Sequence, residues 1–160
     1  MDYKIREMIF EDNSAVAALV RENLKKHGLD IPGTVYFDSA LDDLWSFYSG
    51  NKKRGYYVLV DDGGKVVGGI GFDEFISFKD CAELQKLYLK DSVKGMGLGY
   101  KLINFVESKM RESGYKASYL ETHHNLKAAI HIYEKSGYSA IKRPEGVVHG
   151  AMTNFYYKSL

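Results

Sequence analysis

Apolar residues recur in this chain with two periods, and the period switches from segment to segment. Val16, Leu19, Val20 and Leu24 fall at helical spacing behind Asp12 and Asn13, either of which can cap the helix, and Gly28 sits where a C′ residue belongs. Residues 3–8 ahead of it read as a short first strand. Residues 29–37, with the Pro32-Gly33 turn, read as a loop, and a shorter helix is expected over 41–48. The β-branched and aromatic run 56–60, the turn Asp61-Asp62-Gly63-Gly64 and the run 65–72 predict a hairpin. A strand over 82–90 follows, then a helix over 97–113 with Leu98, Leu102, Phe105, Val106 and Met110 facing inward. A strand over 117–122, a helix over 126–135 stopped by Gly137, and strands over 138–142 and 152–158 complete the pattern.

The strand–helix–strand–helix run of the second half requires a parallel pair, whereas the hairpin before it is antiparallel. No linker or repeat interrupts the chain, so residues 1–160 are expected to form one α/β domain, a mixed central sheet flanked by helices. One strand breaks phase. Leu84 is even and Leu87 and Leu89 are odd, so a regular strand cannot place all three on one face. An extra residue near Gln85 and Lys86, a β-bulge, would restore the match; burial of both faces of a central strand would also account for it.

Composition narrows the function classes. Lys plus Arg (22) balance Asp plus Glu (21), so no basic field points to nucleic acid or to a membrane surface. Cys81 is the lone cysteine, which excludes a disulfide framework and a thiolate metal cluster. The charged start Met1-Asp2-Tyr3-Lys4 lacks a signal region, and no apolar run approaches the ~20 residues of a membrane span. A soluble cytoplasmic protein is the expectation.

The stretch Lys94-Gly95-Met96-Gly97-Leu98-Gly99, between a strand and a helix, carries the chemistry. Glycines at every second position leave main-chain N–H groups uncovered where a helix N-terminus adds positive partial charge, which suits a phosphate. A Walker A loop would need four residues between its glycines and a Gly-Lys-Ser/Thr ending, which Gly99-Tyr100-Lys101 does not supply. A dinucleotide fingerprint would place the third glycine one residue later and follow the first strand of its fold; Glu121 could serve as its ribose partner. The stretch resembles instead the Gln/Arg-x-x-Gly-x-Gly/Ala signature of the GNAT superfamily of N-acetyltransferases, with Lys94 in place of Gln or Arg. The resemblance extends to Leu87-Tyr88-Leu89 before the loop and to Tyr133-Glu134-Lys135-Ser136-Gly137-Tyr138 after it, and the order of elements agrees with that fold.

The resemblance implies an enzyme that transfers the acetyl group of acetyl-CoA to a primary amine by direct attack in a ternary complex, with no metal. The main chain of Leu87, Tyr88 and Leu89 would bind the pantetheine arm, and Lys94, Gly95, Met96, Gly97, Leu98, Gly99 and Tyr100 would surround the pyrophosphate. Tyr133 would aim its hydroxyl at the departing sulfur. On spacing alone Tyr133 is also an ordinary member of the apolar stripe of Leu126, Ala129 and Ile130. Glu83 resembles the glutamate base of one branch of the superfamily; it could equally be a strand-edge charge in an ion pair, and Glu121 is the alternative base. Leu126 stands where many members carry Asn, and Asn125 is one residue off that register.

The acceptor is expected to be a small amine, an amino acid or a peptide N-terminus. Tyr36, Phe37, Asp38, Asp42, Asp43, Trp45, Tyr48, Phe155, Tyr156 and Tyr157 are its candidate wall, although they could as well be core aromatics and solvated acids. His123, His124 and His131 lack the spacing of a metal set, the first two being expected to point apart, and His149 could line the cleft. A strand at 152–158 lying at an exposed edge would permit a homodimer. Two other classes fit the same glycines: a non-catalytic acyl-CoA sensor and a small nucleotide-binding module.

Overall fold

The computed structural model describes residues 1–160. Seven strands form one sheet: β1 (Lys4–Glu7), β2 (Gly55–Val60), β3 (Val66–Glu74), β4 (Cys81–Leu89), β5 (Ala117–Thr122), β6 (Ser139–Ile141) and β7 (Asn154–Ser159). Their spatial order is β1-β2-β3-β4-β5-β7-β6, and only β4 and β5 run parallel. The sheet is the mixed one the strand–helix alternation requires. The strand read as an exposed edge, however, is β7, which is paired on both sides, with β5 and with β6. The three-residue β6 takes the edge, because the chain after α4 turns back outside the place that the last strand fills.

Alternation along β2 sorts the helices into two layers. Tyr56, Val58 and Val60 pack with α1 (Asn13–Lys26) and α2 (Leu44–Tyr48), and Leu59 packs on the opposite face with α3 (Leu98–Glu112). The stripe of Val16, Leu19, Val20 and Leu24 is fully buried, and Leu102, Ile103, Val106 and Met110 are fully buried on α3. Tyr133 of α4 (Lys127–Lys135) joins the α3 layer. Asp12 precedes α1 but does not cap it with its side chain; its carboxylate takes Arg6 at 2.7 Å and the Ile9 amide at 2.9 Å. The expected helix over 41–48 is split into a single 3-10 turn (Leu41–Asp43) and α2, where the Asp43 carboxylate accepts the Ser46 amide at 3.3 Å.

The register between β3 and β4 shifts by one residue. Gly69 faces Tyr88 and Gly71 faces Gln85, so Ile70 stands opposite both Lys86 and Leu87. Lys86 holds φ 51°, a left-handed conformation that costs a side-chain-bearing residue energy. Leu84, Leu87 and Leu89 thereby all pack toward α3, and Tyr88 toward α1. The Tyr56 hydroxyl holds the shifted segment by donating to the Lys86 carbonyl at 2.9 Å. Tyr56 crosses β3 so closely that a Cβ on Gly69 or Gly71 would come within 2.5 Å of its ring or hydroxyl.

Candidate active site

β4 and β5 pair only over Cys81↔Ala117, Ala82↔Ser118 and Glu83↔Tyr119. Beyond Glu83 they separate, while β5 stays paired with β7 as far as Thr122↔Asn154. The edge of β4 facing β5 therefore carries main-chain N–H and C=O groups without a strand partner, which an extended ligand can pair. A cavity of ≈ 470 Å³ occupies this opening. It is lined by β4 from Glu83 to Leu89, by Lys94, Gly95, Gly97, Leu98, Gly99 and Tyr100, and by Leu126, Ala129, Ile132 and Tyr133. Of the predicted coenzyme contacts only Met96 stays out of the lining, with its side chain in solvent.

The three loop glycines differ in purpose. Gly95 and Gly97 have φ of 79° and 74°, and a Cβ on either would meet nothing within 4 Å. Their backbone conformation demands glycine, and the space a side chain would occupy is open to a ligand. Gly99 is instead a packing residue, since its Cβ would lie 3.0 Å from Ile132 Cδ1 on α4. No side chain caps α3 at Gly97, so the amides of its first turn keep their donors beside the cavity. The Lys94 ammonium bonds Asp91 at 2.8 Å, and Lys26 reaches the same carboxylate. Lys26 and Lys94 together bring the Asp91 carboxyl down to about 2.

Tyr133 is 6% exposed yet lines the cavity. Burial, with Tyr88 nearby, pushes its phenol up, so it stays a proton donor throughout the physiological range. Glu83 lies at the point where β4 and β5 part. Gln85 Nε2 donates to its Oε1 at 2.8 Å. Burial, reinforced by the Glu121 charge, pushes the Glu83 carboxyl up to about 7, against the opposing pull of Gln85, Lys86 and His149. That places it where a general base at neutral pH must lie.

A second cavity of ≈ 690 Å³ shares Glu83, Gln85, Lys86, Glu121 and His149 with the first. Asp38, Phe47, Arg54 and Asp73 form part of its far wall. A hydrogen-bonded chain runs along the shared wall. Lys86 Nζ donates to the Tyr48 hydroxyl at 3.1 Å, Tyr48 donates to Gln85 Oε1 at 2.5 Å, and Gln85 donates to Glu83. His149 clasps both sides, with Nε2 2.9 Å from Asp38 and Nδ1 3.5 Å from Glu121. The Asp38 and Glu121 carboxylates push its imidazole up to about 9. Glu121 also accepts the Tyr119 hydroxyl at 2.9 Å.

Several expectations for the acceptor side are corrected. Of the proposed wall only Asp38 lines the second cavity, and Tyr48 touches it through Gln85 and Lys86. Asp42 is spent on Arg21 at 2.7 Å, Asp43 caps α2, and Phe155 and Tyr156 are core. Asn125 donates to the His27 carbonyl at 3.0 Å, and Leu126 contributes apolar surface to the cavity. The rings of His123 and His124 do not point apart: their centroids are 4.1 Å apart, because the His123 ring turns back to accept the Asn125 amide at 3.0 Å. No group of three or more His, Cys, Asp and Glu is arranged to hold a metal ion. Sequence reasoning named Tyr48 for the acceptor wall but missed the side chains of Gln85 and Lys86, which join it in the hydrogen-bonded chain. The signal for Lys86 was a cation inside a central strand, beside the polar Glu83 and Gln85 and at the phase break.

Comparison with known proteins agrees with this architecture. The Acetyltransferase (GNAT) family matches residues 19–138. An uncharacterised N-acetyltransferase of Escherichia coli, YjgM, is 37% identical over 140 residues, covering 86% of this chain and 82% of its own. A GNAT-family acetyltransferase of Staphylococcus aureus superposes with a TM-score of 0.88 at 19% identity, with 99% of both chains covered. The PaiA N-acetyltransferase of Thermoplasma acidophilum, solved with coenzyme A, superposes with a TM-score of 0.76 at 20% identity over the full length of both. With its opened β4–β5 pair and glycine-rich turn into α3, this chain belongs to the GNAT acetyltransferase family and is an acetyl-CoA-dependent acyltransferase.

Proposed function

We propose that the protein acetylates a primary amine by direct transfer in a ternary complex, within a single domain spanning 1–160. The observation that carries this reading is the position of Glu83 on the wall shared by both cavities, with Tyr133 lining only the first. The first cavity suits the donor. Its open β4 edge at Leu87, Tyr88 and Leu89 can pair an amide-bearing pantetheine arm, and the loop amides from Lys94 through Tyr100 can face a pyrophosphate. Acetyl-CoA supplies a thioester carbonyl there. The second cavity receives the acceptor amine.

Glu83, poised near neutrality, takes the proton that the amine must lose as its nitrogen bonds the carbonyl carbon. Main-chain N–H groups around Leu87 to Leu89 offer donors to the carbonyl oxygen as charge develops on it. The sulfur leaves as a thiolate, with an ordinary pKa of about 8.5. The Tyr133 phenol, raised by burial, is the weaker acid of the two, so it acts foremost as a hydrogen-bond donor to that sulfur. No covalent acyl-enzyme is needed. The buried Cys81 thiol, pushed up to about 12, is poorly suited to form one.

Calorimetric titration with acetyl-CoA beside a dinucleotide, followed by amine-dependent thiol release, tests the proposal. Selective coenzyme binding with thiol release that falls roughly a thousandfold in Glu83→Gln is expected, in line with the loss of a general base. Coenzyme binding without release for any amine would turn the protein into a sensor, and preference for the dinucleotide would remove the donor assignment.

A further inference from the structure

Charge pairing in the second cavity is complete except at two places. Asp73 holds Arg54 at 3.1 Å, Glu74 holds Lys53 at 3.5 Å, and Asp38 and Glu121 share His149. The two ionisable groups of the shared wall that have no opposite charge within ion-pair distance are Glu83 and Lys86, three residues apart on β4. We propose that the acceptor is a small amine that also carries a carboxylate, of amino-acid type, with its amine facing Glu83 and its carboxylate held by Lys86. This rests on the amine-acetylation reading above and names its substrate class.

Lys86 is held at both ends. Its carbonyl accepts the Tyr56 hydroxyl at 2.9 Å, its ammonium donates to the Tyr48 hydroxyl at 3.1 Å, and its backbone holds φ 51°. Strain of this kind persists where the surroundings fix a residue in place, and here it aims a cation into the space between two cavities. An ammonium has three donors, and Tyr48 takes one. The other two are available to a carboxylate, and a largely buried cation on which Asp38, Glu83 and Asp73 act only from beyond ion-pair distance gains more from an anionic ligand in contact than from a neutral one. Lys86 lies at the far end of the chain Lys86–Tyr48–Gln85–Glu83, so the two unpaired groups are separated by only three hydrogen bonds. A molecule of amino-acid size can engage both. An aliphatic diamine would leave Lys86 facing a second cation, and a peptide N-terminus would bring it no carboxylate within that reach.

The test is a panel of free L-amino acids, each paired with its carboxamide and its decarboxylated amine, assayed by thiol release with acetyl-CoA. Free acids accepted by the wild-type protein should exceed their carboxamides at least tenfold in kcat/KM. In Lys86→Met that preference should fall to near unity through a raised KM for the acid, and Lys86→Arg should restore part of it. Coenzyme titration of each variant establishes that it is folded. Carboxamides or simple amines used as well as the acids would overturn the carboxylate assignment while leaving amine acetylation intact. Thiol release from none of the panel or from simple amines, despite coenzyme binding, would overturn both.

Discussion

The cleft along β4 and the loop 94–99 is made of main chain and apolar side chains, whereas the neighbouring cavity is made of charged side chains from remote segments. In the first, Leu87, Tyr88 and Leu89 present an unpaired strand edge, and Gly95 and Gly97 present a backbone stripped of side chains. In the second, Asp38, Arg54, Asp73, Glu121 and His149 converge from separate elements and pair their charges until Glu83 and Lys86 remain. A site for a constant donor can be built from groups that every residue possesses. A site that selects an acceptor needs particular side chains, held by ion pairs that restrain their alternatives.

Six substitutions probe this division, in decreasing order of expected effect. Tyr133→Phe acts on the donor cleft alone and should lower kcat about a hundredfold, the scale of losing one donor to a developing anion, with coenzyme affinity changed little. Steady-state kinetics beside calorimetry separates the two, and unchanged turnover would remove the role given to Tyr133. Gly97→Asp should weaken coenzyme binding more than about tenfold by setting a carboxylate against the α3 N-terminus where phosphate is expected. Gly97→Ala carries the left-handed strain without the charge, so an equal loss in both would reduce the glycine to a turn residue.

The acceptor side should answer to pH. Activity limited by Glu83 rises as its carboxyl deprotonates through about 7. Glu121 raises that value, so Glu121→Gln should move the acid limb of kcat/KM downward; Gln85 lowers it, so Gln85→Met should move the limb upward. A limb that moves the same way in both would show that another group controls it. The smallest effect concerns stability. His149 titrates at about 9 in the folded protein, above its ordinary 6.5, so its link to Asp38 and Glu121 contributes fully below about 6.5 and is lost as pH rises toward 9. The difference in melting temperature between wild type and His149→Asn should shrink over that window, and a constant difference would assign His149 a purely steric part.

The helices and strands were legible because their apolar residues sit at periods of 3.6 and 2, and all that burial required was that Val16, Leu19, Val20 and Leu24, or Leu102 and Val106, share a face. The cleft beside the glycine loop was legible for a related reason. Its groups are contiguous, so the glycine spacing and Tyr133 with its trailing Gly137 register locally. The place of β7 was not, since strand order in a sheet depends on how connections cross and not on the strand's own residues.

What the sequence by itself determined is the set of elements, the turn from β4 into α3, and membership of an acetyltransferase family whose donor is acetyl-CoA. Only the tertiary structure decided that β4 and β5 part after Glu83, that His149 binds Asp38 across 111 positions of chain, and that Lys86 is left without an opposite charge within ion-pair distance. Backbone conformation is governed by near neighbours in sequence, so it leaves a local trace. Pairing between charges is governed by distance in space, and that distance exists only once the chain has folded.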